Sequence, residues 1–366
     1  MSITKDKVLE ALKNVDDPDL HKDIVTLGMV KDVEIDGKKV NFTVELTTPA
    51  CPMKEVIHRA CVNAITYYVD KEAEVNVNMT ARVTTQQNGN KEVMLPNVKN
   101  VIAIASGKGG VGKSTIAANL AVALSKMGAK VGLVDADIYG PSIPTMFDVV
   151  HEKPGATIIN EKQYMLPVES YGIKVLSIGF FAPPSQAIPW RGPMASKALR
   201  QMFSDAYWGE IDYMVVDLPP GTGDIHLTFV SAVPITGAVI VTTPQEVALA
   251  DARKALSMFQ MPAVNVPVLG IVENMAYFTP EELPNNKYYL FGKEGGKQLA
   301  ESANLPLLGQ IPIVQSIREA GDAGRPAVMQ DGSICSIAFM EMAQNIAQQI
   351  AIKNAASPLV SNITPN

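Results

Sequence analysis

The chain has 366 residues, 47% of them hydrophobic, and 31 Lys and Arg stand against 37 Asp and Glu for a formal net charge of −6. That length suits two domains better than one, and the apolar fraction can build a sizeable core. The acidic balance, with a pI near 5.4, argues against a general nucleic-acid-binding surface.

No stretch approaches 18 uninterrupted apolar residues, so no membrane-spanning helix is expected. The N-terminal MSITKDKVLE carries charges where a signal peptide needs an apolar core. Cys51, Cys61 and Cys335 lie far apart in sequence, which fits a reducing cytosol and no disulfide framework.

Residues 1–83 read as a small α+β unit. Thr4 is placed to cap a helix with the apolar face Val8, Leu9, Leu12 and Val15, and Asp16-Asp17-Pro18-Asp19 stops it. Val33 and Ile35 alternate up to Asp36-Gly37, and Val40, Phe42, Val44 and Leu46 alternate away from it, which signals a hairpin. Pro52 is expected to open a helix carrying Val56, Ile57, Ala60, Ile65 and Tyr68, with a last strand over 74–79. Residues 84–99 are polar with Gly and Pro and read as a linker.

From Val101 onward strands and helices alternate, with strands expected at 101–105, 130–134, 173–178, 212–217, 237–242 and 266–272. The pattern predicts an α/β domain over 100–355: a mostly parallel sheet covered on both faces, preceded by the small α+β domain. Ligands on such sheets sit beyond the carboxyl ends of the strands. The tail 356–366 is expected to be loose.

The most informative segment runs from Ile102 to Thr115. A buried strand is followed by Gly107, Gly112, Lys113 and Ser114 at phosphate-loop spacing, and then by a helix with Ile116, Leu120 and Leu124 on one face. Glycines let backbone N–H groups approach an anion, and the helix start adds its dipole. On this reading Gly107, Lys108, Gly109, Gly110, Val111, Gly112, Lys113, Ser114 and Thr115 cradle phosphates. Lys113 supplies a point charge, and the Ser114 hydroxyl holds Mg²⁺. Lys108, a second lysine in the loop, faces these phosphates or those of a second subunit.

Asp135 and Asp137 end the next strand and suit Mg²⁺ contacts and orientation of an attacking water, although either alone could cap a helix or make a turn. Asp217 ends a third strand before Leu218-Pro219-Pro220-Gly221, and Asn274 ends a fourth, where a side-chain amide can read a purine edge. His21, His58, His151 and His226 show no metal-site spacing, with His226 after Asp224 kept as a weak candidate.

These residues resemble the deviant phosphate-loop ATPases of the MinD/ParA class, and more narrowly the Mrp/ApbC family of iron–sulfur cluster carrier ATPases. The similar stretches are Ala105–Thr115, Val134–Pro144, Trp190–Met194, Tyr207–Thr228, Val241–Asp251, Gly270–Phe278 and Ile311–Ile313. Residues 1–83, with Thr47–Pro52, resemble the small domain often fused to these ATPases.

The resemblance implies a slow Mg²⁺-dependent ATPase that acts as a nucleotide-switched homodimer in the cytoplasm. Its partners would be apo iron–sulfur client proteins and assembly factors, with no nucleic acid and no membrane. It casts Lys108, Lys113 and Asp137 as catalytic, Ser114, Asp135 and Asp217 as Mg²⁺ residues, and Asn274 and Pro312 as nucleotide contacts. Family members commonly carry a C-x-x-C pair after this segment that bridges a cluster between subunits. Here Thr279–Gly292 holds no cysteine. Cys51, at an expected helix start whose dipole favours thiolate, is the remaining candidate for an iron–sulfur cluster, or else a packing residue. The alternatives are a positioning ATPase on membrane or DNA, and an ATP-dependent scaffold that holds no cluster. The acidic pI and the single basic residue, Lys353, in 333–353 weigh against the first of these.

Overall fold

The computed structural model describes residues 3–85, 94–181, 192–223, 226, 230, 233–280, 282–283 and 286–356. Residues 86–93 of the expected linker, Trp190, Asp224 and the tail beyond 356 lie outside the described residues. The chain divides into two compact units, Met1–Gln87 with Ala347–Asn366, and Asn88–Ile346.

In the first unit, α1 (Lys5–Leu12) leads through the two-residue strands β1 (Asp16–Asp17) and β2 (Lys22–Asp23) to a hairpin of β3 (Val30–Asp36) and β4 (Lys39–Leu46). Thr4 takes the N-cap position with extended backbone, but its hydroxyl makes no capping bond. Val40, Phe42, Val44 and Leu46 all point inward from β4, as their alternation requires. They share one core with Val8, Leu12, Ile57 and Ile65. Helix α2 (Lys54–Tyr68), which starts two residues after Pro52, is the crossover to β5 (Glu74–Ala81), paired parallel to β4.

The second unit is built on eight strands ordered β10-β11-β7-β12-β6-β13-β14-β15. They are β6 (Val98–Ala105), β7 (Val131–Asp135), β10 (Val168–Ser170), β11 (Ile173–Ser177), β12 (Ile211–Asp217), β13 (Gly237–Thr242), β14 (Val268–Glu273) and β15 (Leu307–Gln310). All neighbours are parallel except β10 against β11. A further hairpin pairs β8 (Gly155–Ile159) with β9 (Lys162–Leu166).

Helices α3 (Lys113–Lys126), α4 (Ile143–Met146), α5 (Gly192–Ser204), α6 (Glu246–Gln260), α7 (Gly295–Ser302), α8 (Gln315–Asp322) and α9 (Ile334–Ala356) complete the order. Strands β7 and β13 are buried along their whole length, which is why they read as unbroken apolar runs rather than alternating ones. The register aligns the polar strand ends. Ser177 pairs with Asp135, Asp135 with Asp217, Thr242 with Glu273, and Glu273 with Gln310. Parallel pairing thus collects the last residues of separate apolar strands into one row at the carboxyl edge of the sheet.

Candidate nucleotide site

The glycine loop leaves β6 at this edge and enters α3 at Gly112, whose φ of +83° closes the turn at the helix N-cap. Gly110 has φ +82°, the same left-handed region where glycine carries no steric cost. Two other contacts show why side chains are excluded. A Cβ on Gly107 would stand 2.0 Å from the Asp251 carbonyl oxygen of α6, and one on Gly112 would stand 2.1 Å from Asn274 Nδ2. The loop therefore lies flush against α6 on one side and the end of β14 on the other.

Lys113 is 6% exposed, and its Nζ is 2.6 Å from Asp217 Oδ1, 3.5 Å from Asp137 Oδ2 and 3.3 Å from Ser114 Oγ. Asp217 and Asp137 are also buried. Among the described residues Asp217 Oδ2 and Asp137 Oδ1 have no hydrogen-bond partner. Buried carboxylate oxygens left unpaired are costly. Three buried acids beside one lysine hold more negative charge than the chain itself neutralises.

Burial first, and then Asp217, push the Asp135 carboxyl up to about 8. Burial likewise raises Asp217, against the lowering effect of Lys113. The donor set fits a hard divalent cation, since it offers only oxygens, two of them orphaned, with the Ser114 hydroxyl beside them. Mg²⁺ is usually held by one or two carboxylates together with substrate phosphates, so no cage made of protein alone is required.

Other expected residues take places of their own. Asp135, expected at Mg²⁺, accepts three hydrogen bonds within the protein: its Oδ1 accepts from Asp137 N, and its Oδ2 from Ser177 Oγ at 2.9 Å and Ile143 N at 3.2 Å. It ties together Asp137, Ser177 and the start of α4. Asn274, expected at a purine edge, donates its amide to the Val111 carbonyl at 2.8 Å and so buttresses the glycine loop. Pro312 is buried where Ile311 O accepts from Ala276 N, just past the end of β14. Lys108 and Gly109 are exposed, while Ser114 and Thr115 are half-buried at the start of α3. Lys108 makes no ion pair among the described residues.

Cys51 differs most from expectation. Burial against the first unit's core pushes its thiol up to about 11, and Asp19 and Asp17 add to the rise. The helix begins only at Lys54, and desolvation outweighs what its dipole offers. Cys51 is half-buried, whereas Cys61 and Cys335 are buried, and all three are free. Among the described residues no group of three or more His, Cys, Asp or Glu side chains is arranged to hold a metal ion.

Three contributors were not anticipated. Ser177 anchors Asp135. Ser106 Oγ donates to the Lys108 carbonyl inside the loop. Glu273, fully buried, accepts from Gly296 N and Lys297 N at the start of α7 and from Gln310 Nε2. Each ends an apolar strand, and that position was the available signal.

Residues 97–351 match the family described as NUBPL iron-transfer P-loop NTPase. The chain belongs to this family. As a P-loop NTPase of this kind it carries the loop and the acidic row in the register just described. Residues 5–79 match a second family, described as iron–sulfur cluster assembly protein.

The chain is 47% identical to the iron–sulfur cluster carrier protein of Synechocystis sp., over 98% of this chain and 100% of that one. It is 43% identical to the iron–sulfur cluster carrier protein of Deinococcus radiodurans, over 95% and 96%. Among solved structures it resembles the nucleotide-binding protein in complex with ADP from Archaeoglobus fulgidus. The identity is 40% and the TM-score 0.55, covering 63% of this chain and 88% of that one. Among the described residues no helix is long and apolar enough to cross a membrane.

Proposed function

We propose that this chain binds ATP with Mg²⁺ at the loop Gly107–Thr115, hydrolyses it slowly, and uses the cycle to carry iron–sulfur clusters to apo client proteins. The observation that carries the nucleotide half is Lys113, buried between Asp217 and Asp137 with an unpaired oxygen left on each acid. When phosphates lie in the loop, the Lys113 ammonium has a stronger partner than two carboxylates, and the acids become free to act elsewhere. Asp217 and Ser114 are the residues to hold Mg²⁺, which would neutralise phosphate charge when bound. Asp137 is the residue to orient the attacking water, and its orphan Oδ1 is the acceptor available for that proton. Asn274 fixes the loop through the Val111 carbonyl, and we take Pro312 as the contact for the base.

The carrier half is supported by family membership, by the cluster-carrier relatives and by the assembly-type match over 5–79. Cys51, the one thiol that is not fully buried, is the candidate contact for the cluster as cargo. We take 1–83 as its domain, 84–99 as the tether and 100–355 as the ATPase domain. The exposed Lys108 supports a homodimer in which each copy's loop lysine reaches the other's nucleotide, in the cytoplasm.

Titration calorimetry with ATP tests the site. Lys113→Ala should abolish tight binding, whereas Asp137→Ala should bind ATP and lose hydrolysis. Unchanged affinity in Lys113→Ala would place the nucleotide elsewhere.

A further inference from the structure

The loop after β12 is fastened in an unusual way. Leu218 N donates to Ile104 O, and Gly221 N to Ser106 O at 2.9 Å, which docks the loop on the end of β6. A Cβ on Gly109 would meet the Pro220 ring at about the contact distance of 3.9 Å, so this loop borders the glycine loop directly. Between those fastenings stand Pro219 and Pro220, which have no N–H to give.

The Pro219 peptide is held by a side chain instead. His226 Nε2 lies 2.8 Å from the Pro219 carbonyl oxygen, and His226 N donates to Gly223 O at 3.0 Å. The imidazole is buried, and burial lowers its pKa, so the ring is neutral and Nε2–H is the donor. Lys113 and Asp137 both act on the ring electrostatically, in opposite directions. Gly221 has φ +96° with nothing near its missing Cβ, so its glycine is required by backbone conformation and not by space. Among the described residues the amides of Thr222 and Gly223 donate to no protein acceptor.

We propose that His226 is a positioning residue for ATP hydrolysis: its bond to Pro219 holds the Pro219 peptide in place and so sets the Thr222 and Gly223 amides beside the phosphate end of the loop. The inference rests on the nucleotide reading above. His226 touches neither phosphate nor water. It acts through Pro219, and a displaced loop changes the rate of the chemical step more than the affinity for nucleotide, because ADP lacks the phosphate the amides would meet.

Two variants of similar size separate the bond from packing. His226→Gln keeps an N–H able to reach Pro219 O, and His226→Met keeps bulk without a donor. Steady-state kcat and KM for ATP, ADP affinity by calorimetry and the urea unfolding midpoint are measured on the full chain. The expected result is a loss in kcat for His226→Met on the order of 10- to 100-fold, with ADP affinity within about twofold of wild type and kcat largely retained in His226→Gln. Equal kcat in the two variants, whether both high or both low, overturns the inference, as does a parallel fall in kcat and ADP affinity. A wild-type chain that binds no ADP would overturn the nucleotide reading itself, and the two failures are therefore distinguishable.

Discussion

At the residue scale, a single lysine carries the charge balance of the site. Lys113 neutralises at most one of the three acids Asp135, Asp137 and Asp217, and burial, with the Asp217 charge added, keeps the proton on Asp135 up to about pH 8. Its ordinary value is 3.8, so the folded chain binds this proton more tightly than the unfolded chain does. The resulting stability is fully present below the unfolded value and is lost as pH rises through the folded one. The nucleotide-free protein should therefore lose stability as pH rises from about 4 to about 8, by at most about 1.4 kcal/mol per pH unit from one group. Asp135→Asn should flatten that slope in urea unfolding, and a wild-type slope no steeper than the variant's would contradict the assignment. Cys51 gives the second expectation. A thiol raised to about 11 is almost wholly protonated at neutral pH, so iodoacetamide should label it more slowly than a free thiol at pH 7 and faster as pH rises toward 10. Rapid labelling at pH 7 would show an active thiolate.

At the scale of elements, the phosphate loop, the six core strands and the acids at their ends were legible before any coordinates. Long buried parallel strands announce themselves as apolar runs, and a strand followed by glycines and a helix fixes its own geometry. The hairpin of β8 and β9 was not legible. Its turn residues Asn160 and Glu161 both have positive φ, 49° and 64°, and a glutamate there hides the Asn-Gly signal that marks such turns. Strand β15 is four residues with a glycine, too short for a period to show. Cys51 misled because the sequence shows the nearby helix start but not the burial that opposes it. The hydrogen-bond partners of Asp135 and Asn274 were hidden for a related reason, since the sequence places an acid or an amide at a strand tip without saying which neighbours claim it. The glycine contacts give a test at this scale. Gly107→Ala forces a Cβ onto the Asp251 and Ala252 backbone and should destabilise the fold by about 1–3 kcal/mol and abolish ATP binding. Gly140→Ala, with nothing within 4 Å of the new atom, should be near neutral in both. Equal thermal shifts in the two variants would contradict the close packing of the loop.

At the scale of the whole molecule, an iron-transfer P-loop NTPase match and an iron–sulfur assembly-type match that bears Cys51 are carried on one chain. ATP in the proposed dimer would bring two loops together through Lys108. Light scattering should find Asp137→Ala, which binds but does not hydrolyse, accumulating as a dimer with ATP, and a monomer at high micromolar concentration would contradict that arrangement. The most direct measurement of the central claim is cluster transfer. The full chain is reconstituted anaerobically, its iron and sulfide are determined, and delivery to an apo iron–sulfur acceptor is followed with and without Mg²⁺-ATP. The expected result is retained iron and sulfide and a severalfold change in transfer rate on adding ATP in the wild type, absent in Lys113→Ala. A chain that retains no iron or sulfide, or that transfers clusters at one rate whatever the nucleotide, would contradict the proposed function.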